Sequence, residues 1–118
     1  LAGKKYLILG NHDETWIKKM EKRGTAWRDW FEDVQLMMEI TDGDRKLVLC
    51  HYPMMTWNGV GEGSTLLYGH IHNNTKDTYW PLLRQMDNAL NAGVDINGFQ
   101  PVTLAELERN NAAFRASH

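Results

Sequence analysis

Short apolar runs alternate with polar, turn-rich segments along this chain, and the runs are long enough only for strands and modest helices. Residues 6–9 (Tyr6, Leu7, Ile8, Leu9) read as a short buried strand, and Gly10 behind them permits a sharp turn. Residues 14–23 place Trp16, Ile17 and Met20 at helical spacing with lysines on the other face, and Gly24 ends that helix. A second short helix is predicted over 26–32, with Trp27, Trp30 and Phe31 on one side. Residues 34–41 and 45–50 flank Asp42-Gly43, a hairpin signal. The stretch Met37-Met38-Glu39-Ile40 breaks strict alternation, which predicts a sheet buried on both faces. Residues 65–68 form another strand, whereas 57–64, with Gly59, Gly61 and Gly63, read as a mobile loop. Residues 73–81 are loop-like, and 82–95 fit neither period. Thr103 and Glu106 form a capping box, with Pro101 just ahead, which opens a terminal helix over 103–114.

Composition narrows the class. A chain of 118 residues with 42% hydrophobic and 24% charged residues is one modest domain, taken here as 1–118, with a core of its own. The net charge of -2 offers no basic field for nucleic acid. Cys50 is the single cysteine, so no internal disulfide forms, and a reducing, cytoplasmic setting is expected. No apolar run approaches the roughly 20 residues of a membrane span. The first ten residues lack the apolar region and small-residue site of a signal peptide. Leu1 stands where a native start would have methionine, so something is expected to precede it.

The chemistry sits directly behind the apolar runs. Gly10-Asn11-His12-Asp13 follows residues 6–9, Cys50-His51 follows 47–49, and Gly69-His70-Ile71-His72 follows 66–68. Imidazoles and an amide are thereby hung on the carboxyl ends of three strands, where α/β proteins place ligands and where imidazoles suit a transition metal. In an extended segment His70 and His72 point the same way and share one site. Each motif also has a plainer reading. His-x-His can be a surface turn, His51 a buried histidine bonded to a carbonyl, and Asn11 or Asp13 a helix N-cap. The cap leaves His12 unexplained. Asp42 and Asp44 read as turn chemistry. The five tryptophans fit a core or a groove lining, and the loop with Trp57 fits either a substrate lid or a surface loop.

In this order the three motifs resemble those of the calcineurin-like metallophosphoesterases: Gly-Asn-His-Asp/Glu, a lone histidine after a strand, then Gly-His-x-His. The resemblance runs from Leu1 to about Thr103. It takes in the approach Gly3-Lys4-Lys5-Tyr6-Leu7-Ile8-Leu9-Gly10 and Gly93-Val94-Asp95-Ile96-Asn97, and is closest to small bacterial or phage phosphoesterases. It implies an α/β fold, a four-layer α/β/β/α sandwich here incomplete, with a strand near 89–92. Asn11, His51 and His70 would hold one metal and His72 the other. His12 would sit near the scissile phosphate, steadying charge and protonating the leaving oxygen, with Asp13 orienting it. The implied reaction is hydrolysis of a phosphomonoester or phosphodiester by a metal-bridging hydroxide.

Two motifs of the family are missing. Asp-x-His and Gly-Asp, both upstream of Gly-Asn-His-Asp, do not occur before residue 10. Two divalent ions (Mn, Zn, Fe or Ni) are implied for the full-length protein. Without those carboxylates the cations repel unscreened. At most one ion, held by Asn11, His51 and His70, is therefore expected here, and zinc or another ion that favours imidazole suits it. The chain reads as the carboxyl-terminal two-thirds of such an enzyme, inactive alone. The missing part would leave an apolar sheet face or edge exposed, through which the chain would associate with itself or a partner. A non-catalytic binding or scaffold module on the same fold, and a zinc-stabilised structural domain, are the alternatives. The substrate is expected to be a phosphate ester of open identity.

Overall fold

The computed structural model describes residues 3–118; Leu1 and the first part of the loop expected over 1–5 lie outside the described residues. Two sheets organise the α/β fold. In the first, β1 (Tyr6–Ile8) runs parallel to β2 (Asp33–Gln35), with Leu7 opposite Val34. The second has the order β3 (Met37–Asp42), β4 (Arg45–Cys50), β5 (Thr65–Tyr68), β6 (Ala89–Asn91). There β3 and β4 are antiparallel, while β4, β5 and β6 are mutually parallel and end on one edge. Helices α1 (Asp13–Lys22), α2 (Trp80–Leu83) and α3 (Leu104–Ser117) complete it, with 3₁₀ turns at Trp27–Trp30, Val60–Glu62 and Val94–Ile96.

The expected strand over 34–41 is two strands in two sheets. The chain leaves the first sheet after Gln35, crosses at Leu36, which is 73% exposed, and enters the second at Met37. Both halves are extended and no glycine or proline separates them, so local pattern cannot reveal the crossing. The hairpin forms, but Asp42 faces Arg45 across it, so its loop is Gly43-Asp44. Gly43 has φ of +63° and Asp44 is not left-handed, as a type II′ turn requires. Burial on both faces does not hold for β3, an edge strand that is mostly exposed. It belongs to β4 and β5, where Leu47 and Val48, and then Thr65 and Leu66, are buried in succession.

Register explains the core. Val48, Leu66 and Ala89 form one cross-strand row. Trp57, Ile71, Trp80 and Leu83 cover that face together with Tyr68. The helix expected over 26–32 is a single 3₁₀ turn, in which Trp27 is buried against the edge of Trp16 at 5.2 Å while Trp30 stays exposed. The glycine-rich loop is anchored rather than mobile. Buried Trp57 donates through Nε1 to Ser64 Oγ at 3.0 Å, and Ser64 Oγ donates to the Asn58 carbonyl at 2.8 Å. The capping box forms as read, with Thr103 and Glu106 bonded reciprocally.

Helix α3 closes the β6 edge through the Arg115 guanidinium, which donates to the Ala89 carbonyl, and through the Asn111 amide. Asn111 Oδ1 accepts from Asn91 N at 2.7 Å and Asn111 Nδ2 donates to Asn91 O at 3.0 Å, so the side chain pairs as a neighbouring strand would. Among the described residues no helix is long and apolar enough to cross a membrane. The radius of gyration is 15.3 Å, against about 13.5 Å for a compact chain of this length. The two sheets meet only partly and leave a cavity of about 670 Å³ between Ile8 of β1 and Leu49 and Leu67 of the larger sheet.

Candidate metal centre

Strand geometry delivers three motifs to the mouth of that cavity. Leu9 N still donates to Gln35 O at 2.9 Å, so the β1 pairing carries Gly10 and Asn11 to the sheet end. Gly69 N donates to His51 O at 2.8 Å and Ala92 N to Tyr68 O at 2.7 Å, which prolongs the parallel ladders past β4, β5 and β6. Asn11, His12, His51, His70 and His72 all line the cavity.

Three of the five converge on one point. His51 Nε2 lies 2.8 Å from Asn11 Oδ1. His70 Nδ1 lies 3.2 Å from that oxygen and 3.2 Å from His51 Nε2. These contacts cannot all be hydrogen bonds. The amide oxygen only accepts, and a neutral imidazole has one N–H to give. Two protons would face each other between the rings, and one proton would leave two lone pairs opposed. A cation at the centre would resolve the conflict. Ions bound at about 2.1 Å hold cis donors of an octahedron about 3.0 Å apart and donors of a tetrahedron about 3.4 Å apart, so the spacing fits the former more closely. Among the described residues no group of three His, Cys, Asp or Glu side chains forms such a cluster. The third member of the cluster is the Asn11 amide oxygen.

His51 is kept neutral. Burial lowers its pKa below the ordinary 6.5, and the neighbouring His70 pushes the same way, with Asp13 opposing. Its lone pair is available at neutral pH. Folding is linked to this shift. Above about pH 6.5 the group is neutral folded and unfolded and contributes nothing; as pH falls toward the lower folded value, the unfolded chain takes the proton first and the fold weakens. Thermal unfolding of the metal-free chain from pH 8 to 5 should therefore show declining stability below about 6.5. His51→Gln should flatten part of the slope; an unchanged slope would take His51 out of it.

The His70-Ile71-His72 segment is not extended. His70 and His72 have φ of +69° and +53°, and Ile71 N donates back to Gly69 O at 2.8 Å. That is a γ-turn with a positive φ at its centre, a rare and strained form. Two imidazoles therefore reach the cavity from left-handed backbone, while Ile71 between them plugs the core. Strain of this kind persists only where surrounding contacts over-determine it. His72 does not join the three-donor cluster; its Nδ1 bonds Asp95 Oδ1 at 2.9 Å.

Asp13 does not orient His12. Its Oδ2 accepts from Gly10 N at 2.6 Å and its Oδ1 from Trp16 Nε1 at 2.7 Å. The carboxylate thus fastens the turn and the first helical turn of α1, and both oxygens are used. Nor is Asn11 or Asp13 the N-cap. His12 occupies that position with φ -95° and ψ -8°, and no side-chain bond caps the helix. That is the sparsely allowed bridge region where many active-site residues sit.

Two site residues had no role in the sequence reading. Tyr52, next to His51, lays its ring against His51 and His70 with centroids 5.0 and 4.6 Å away. Asp95 follows β6 as the histidine motifs follow their strands, and that placement was a signal available in the sequence. Tyr68 also lines the cavity, but burial pushes its hydroxyl up to about 12 despite nearby Arg115, so it stays protonated.

No family model matches the chain, and no curated protein matches it. The fold has a solved counterpart. It is similar to a protein of unknown function from Aquifex aeolicus, with a TM-score of 0.60 and 22% identity over 92% of this chain and 62% of that one. The chain thus spans less than two thirds of that structure, and at this identity the likeness shows the fold alone.

Proposed function

We propose that the chain carries the histidine side of a calcineurin-like metallophosphoesterase centre, in which Asn11, His51 and His70 hold one divalent ion and His72 serves a second. The two sheets are, on this reading, the inner layers of a four-layer α/β/β/α sandwich. One observation carries the reading: two imidazoles and one amide from three sheet-end loops place their donor atoms within 2.8–3.2 Å of one another. Such an ion supplies Lewis acidity toward a phosphate ester and acidifies water. The chain's own residues do the rest. His12 lines the same cavity from the start of α1, where its imidazole can donate a proton to a departing oxygen. Helix α1 directs its positive end there, with Asp13 moderating it. Tyr52 covers one side of the ligand rings.

Equilibrium dialysis of the 118-residue chain against zinc and manganese tests the reading. One ion per chain is expected, lost in Asn11→Ala, His51→Ala and His70→Ala. p-Nitrophenyl phosphate turnover by this chain is expected to be negligible, because the family's Asp-x-His and Gly-Asp motifs do not occur upstream of Gly10-Asn11-His12-Asp13. Wild-type chain that retains no ion at millimolar metal would overturn the assignment.

A further inference from the structure

Asp95 is the one carboxylate that lines the cavity among the described residues. Its Oδ1 lies 2.9 Å from His72 Nδ1, and its side chain is 23% exposed against 70% for the imidazole. An ionised carboxylate only accepts. The bond therefore puts the imidazole proton on Nδ1 and leaves the lone pair on Nε2.

Both partners are held by one set of asparagines. Asn91 Nδ2 donates to the His72 carbonyl at 2.8 Å, and Asn91 Oδ1 accepts from Gly93 N at 2.8 Å. Asn97 Nδ2 donates to Asn91 O at 3.1 Å and to Gly93 O at 2.8 Å. Asn110 bonds Asn97 at 3.0 Å, and Asn111 clamps the Asn91 backbone from α3. Asn91, Asn97 and Asn111 are all buried. A satisfied buried polar network is stiff. It fixes the strained His72 backbone and the Gly93-to-Asp95 turn relative to each other. Gly93 is needed for this, because a Cβ there would lie 2.9 Å from Asn91 Oδ1.

We propose that Asp95, seated by these asparagines, is a positioning residue: it locks His72 in the Nδ1–H tautomer and so presents Nε2 to an ion. Carboxylate–histidine pairs of this kind orient metal ligands and raise their basicity. The use of the lone pair rests on the metal reading above; the tautomer does not.

Long-range ¹H–¹⁵N correlation spectra of the metal-free, full 118-residue chain read the tautomer directly. Wild type should show His72 with Nδ1 protonated. Asp95→Ala should lose that preference, and Asp95→Asn, which keeps an acceptor oxygen, should retain it. Zinc added to wild type should shift His51 and His70, the ligands of the one ion expected here, while the His72 Nδ1–H persists. An Nε2–H tautomer in wild type, or a tautomer unchanged in Asp95→Ala, overturns the role of Asp95. Failure of Asp95→Asn to rescue overturns positioning in favour of action through charge. Zinc that shifts no imidazole overturns the metal reading, and with it the purpose given to the lock.

Discussion

Leu66→Ala should lower the stability of the fold by about 3–4 kcal/mol, within the range for leucine truncation in a rigid core. Leu66 is fully buried on β5, in the middle of the four-stranded sheet. Its cross-strand neighbours on the same face are Val48 and Ala89. Alanine on one side leaves little that can move in, and the indoles of Trp57 and Trp80 are set by their own packing. Most of the void would remain. The loss is large beside the roughly 5–15 kcal/mol that keeps a domain folded, and it lowers the melting temperature by about 10–15 °C. Leu82→Ala is the control. Leu82 lies in α2 next to buried Leu83 but is itself exposed, so its change should stay within about 0.5 kcal/mol. Denaturant unfolding of both variants checks the pair. A Leu66→Ala cost below about 1 kcal/mol would mean that the core collapses into the space.

What the sequence made legible was what depends on neighbours along the chain. The strand over 65–68, the hairpin near Gly43 and the capping box of Thr103 and Glu106 are set by local pattern and turn chemistry, and they stand where expected. The crossing at Leu36 was not legible, because a strand that changes sheets keeps its extended backbone. The anchored loop was misread for a related reason. Gly59 and Gly63 are there to adopt φ of +80° and +89° around a buried Trp57, and glycine for a strained turn looks the same in sequence as glycine for mobility. At the site, order along the chain pointed to Asn11, His51 and His70, which the structure brings together because each trails an apolar run that becomes a strand. It could not give the hands of the bonds. Asp13 turned toward Gly10 and Trp16 instead of His12, and Asp95, 23 residues beyond His72, became its partner. Those choices depend on which oxygen meets which donor in three dimensions.

If Asn11, His51 and His70 hold an ion as proposed, Gly10→Ala should cost ion affinity about 100-fold or more, beyond the 10–100-fold typical of lost supporting contacts. A Cβ built on Gly10 meets His51 Nδ1 at 2.7 Å, Cε1 at 2.8 Å and Cγ at 3.0 Å. Neither side yields readily. Gly10 N is tied to Asp13 Oδ2 at 2.6 Å, and the His51 ring is backed by Tyr52 and His70. The ring must swing off Asn11 Oδ1, which removes one of three donors. Forced overpacking adds about 1–3 kcal/mol of destabilisation. Gly24→Ala separates clash from backbone strain: Gly24 has φ of +72° but open space around it, so it should lose about 1 kcal/mol and keep the ion. The decisive variant is Gly10→Ala combined with His51→Ala. If the clash with the imidazole is the cause, deleting the ring restores most of the stability lost at Gly10, and the double-mutant cycle shows strong coupling. Additive losses would place the purpose of Gly10 in its backbone and take the close approach to His51 out of the design of the site.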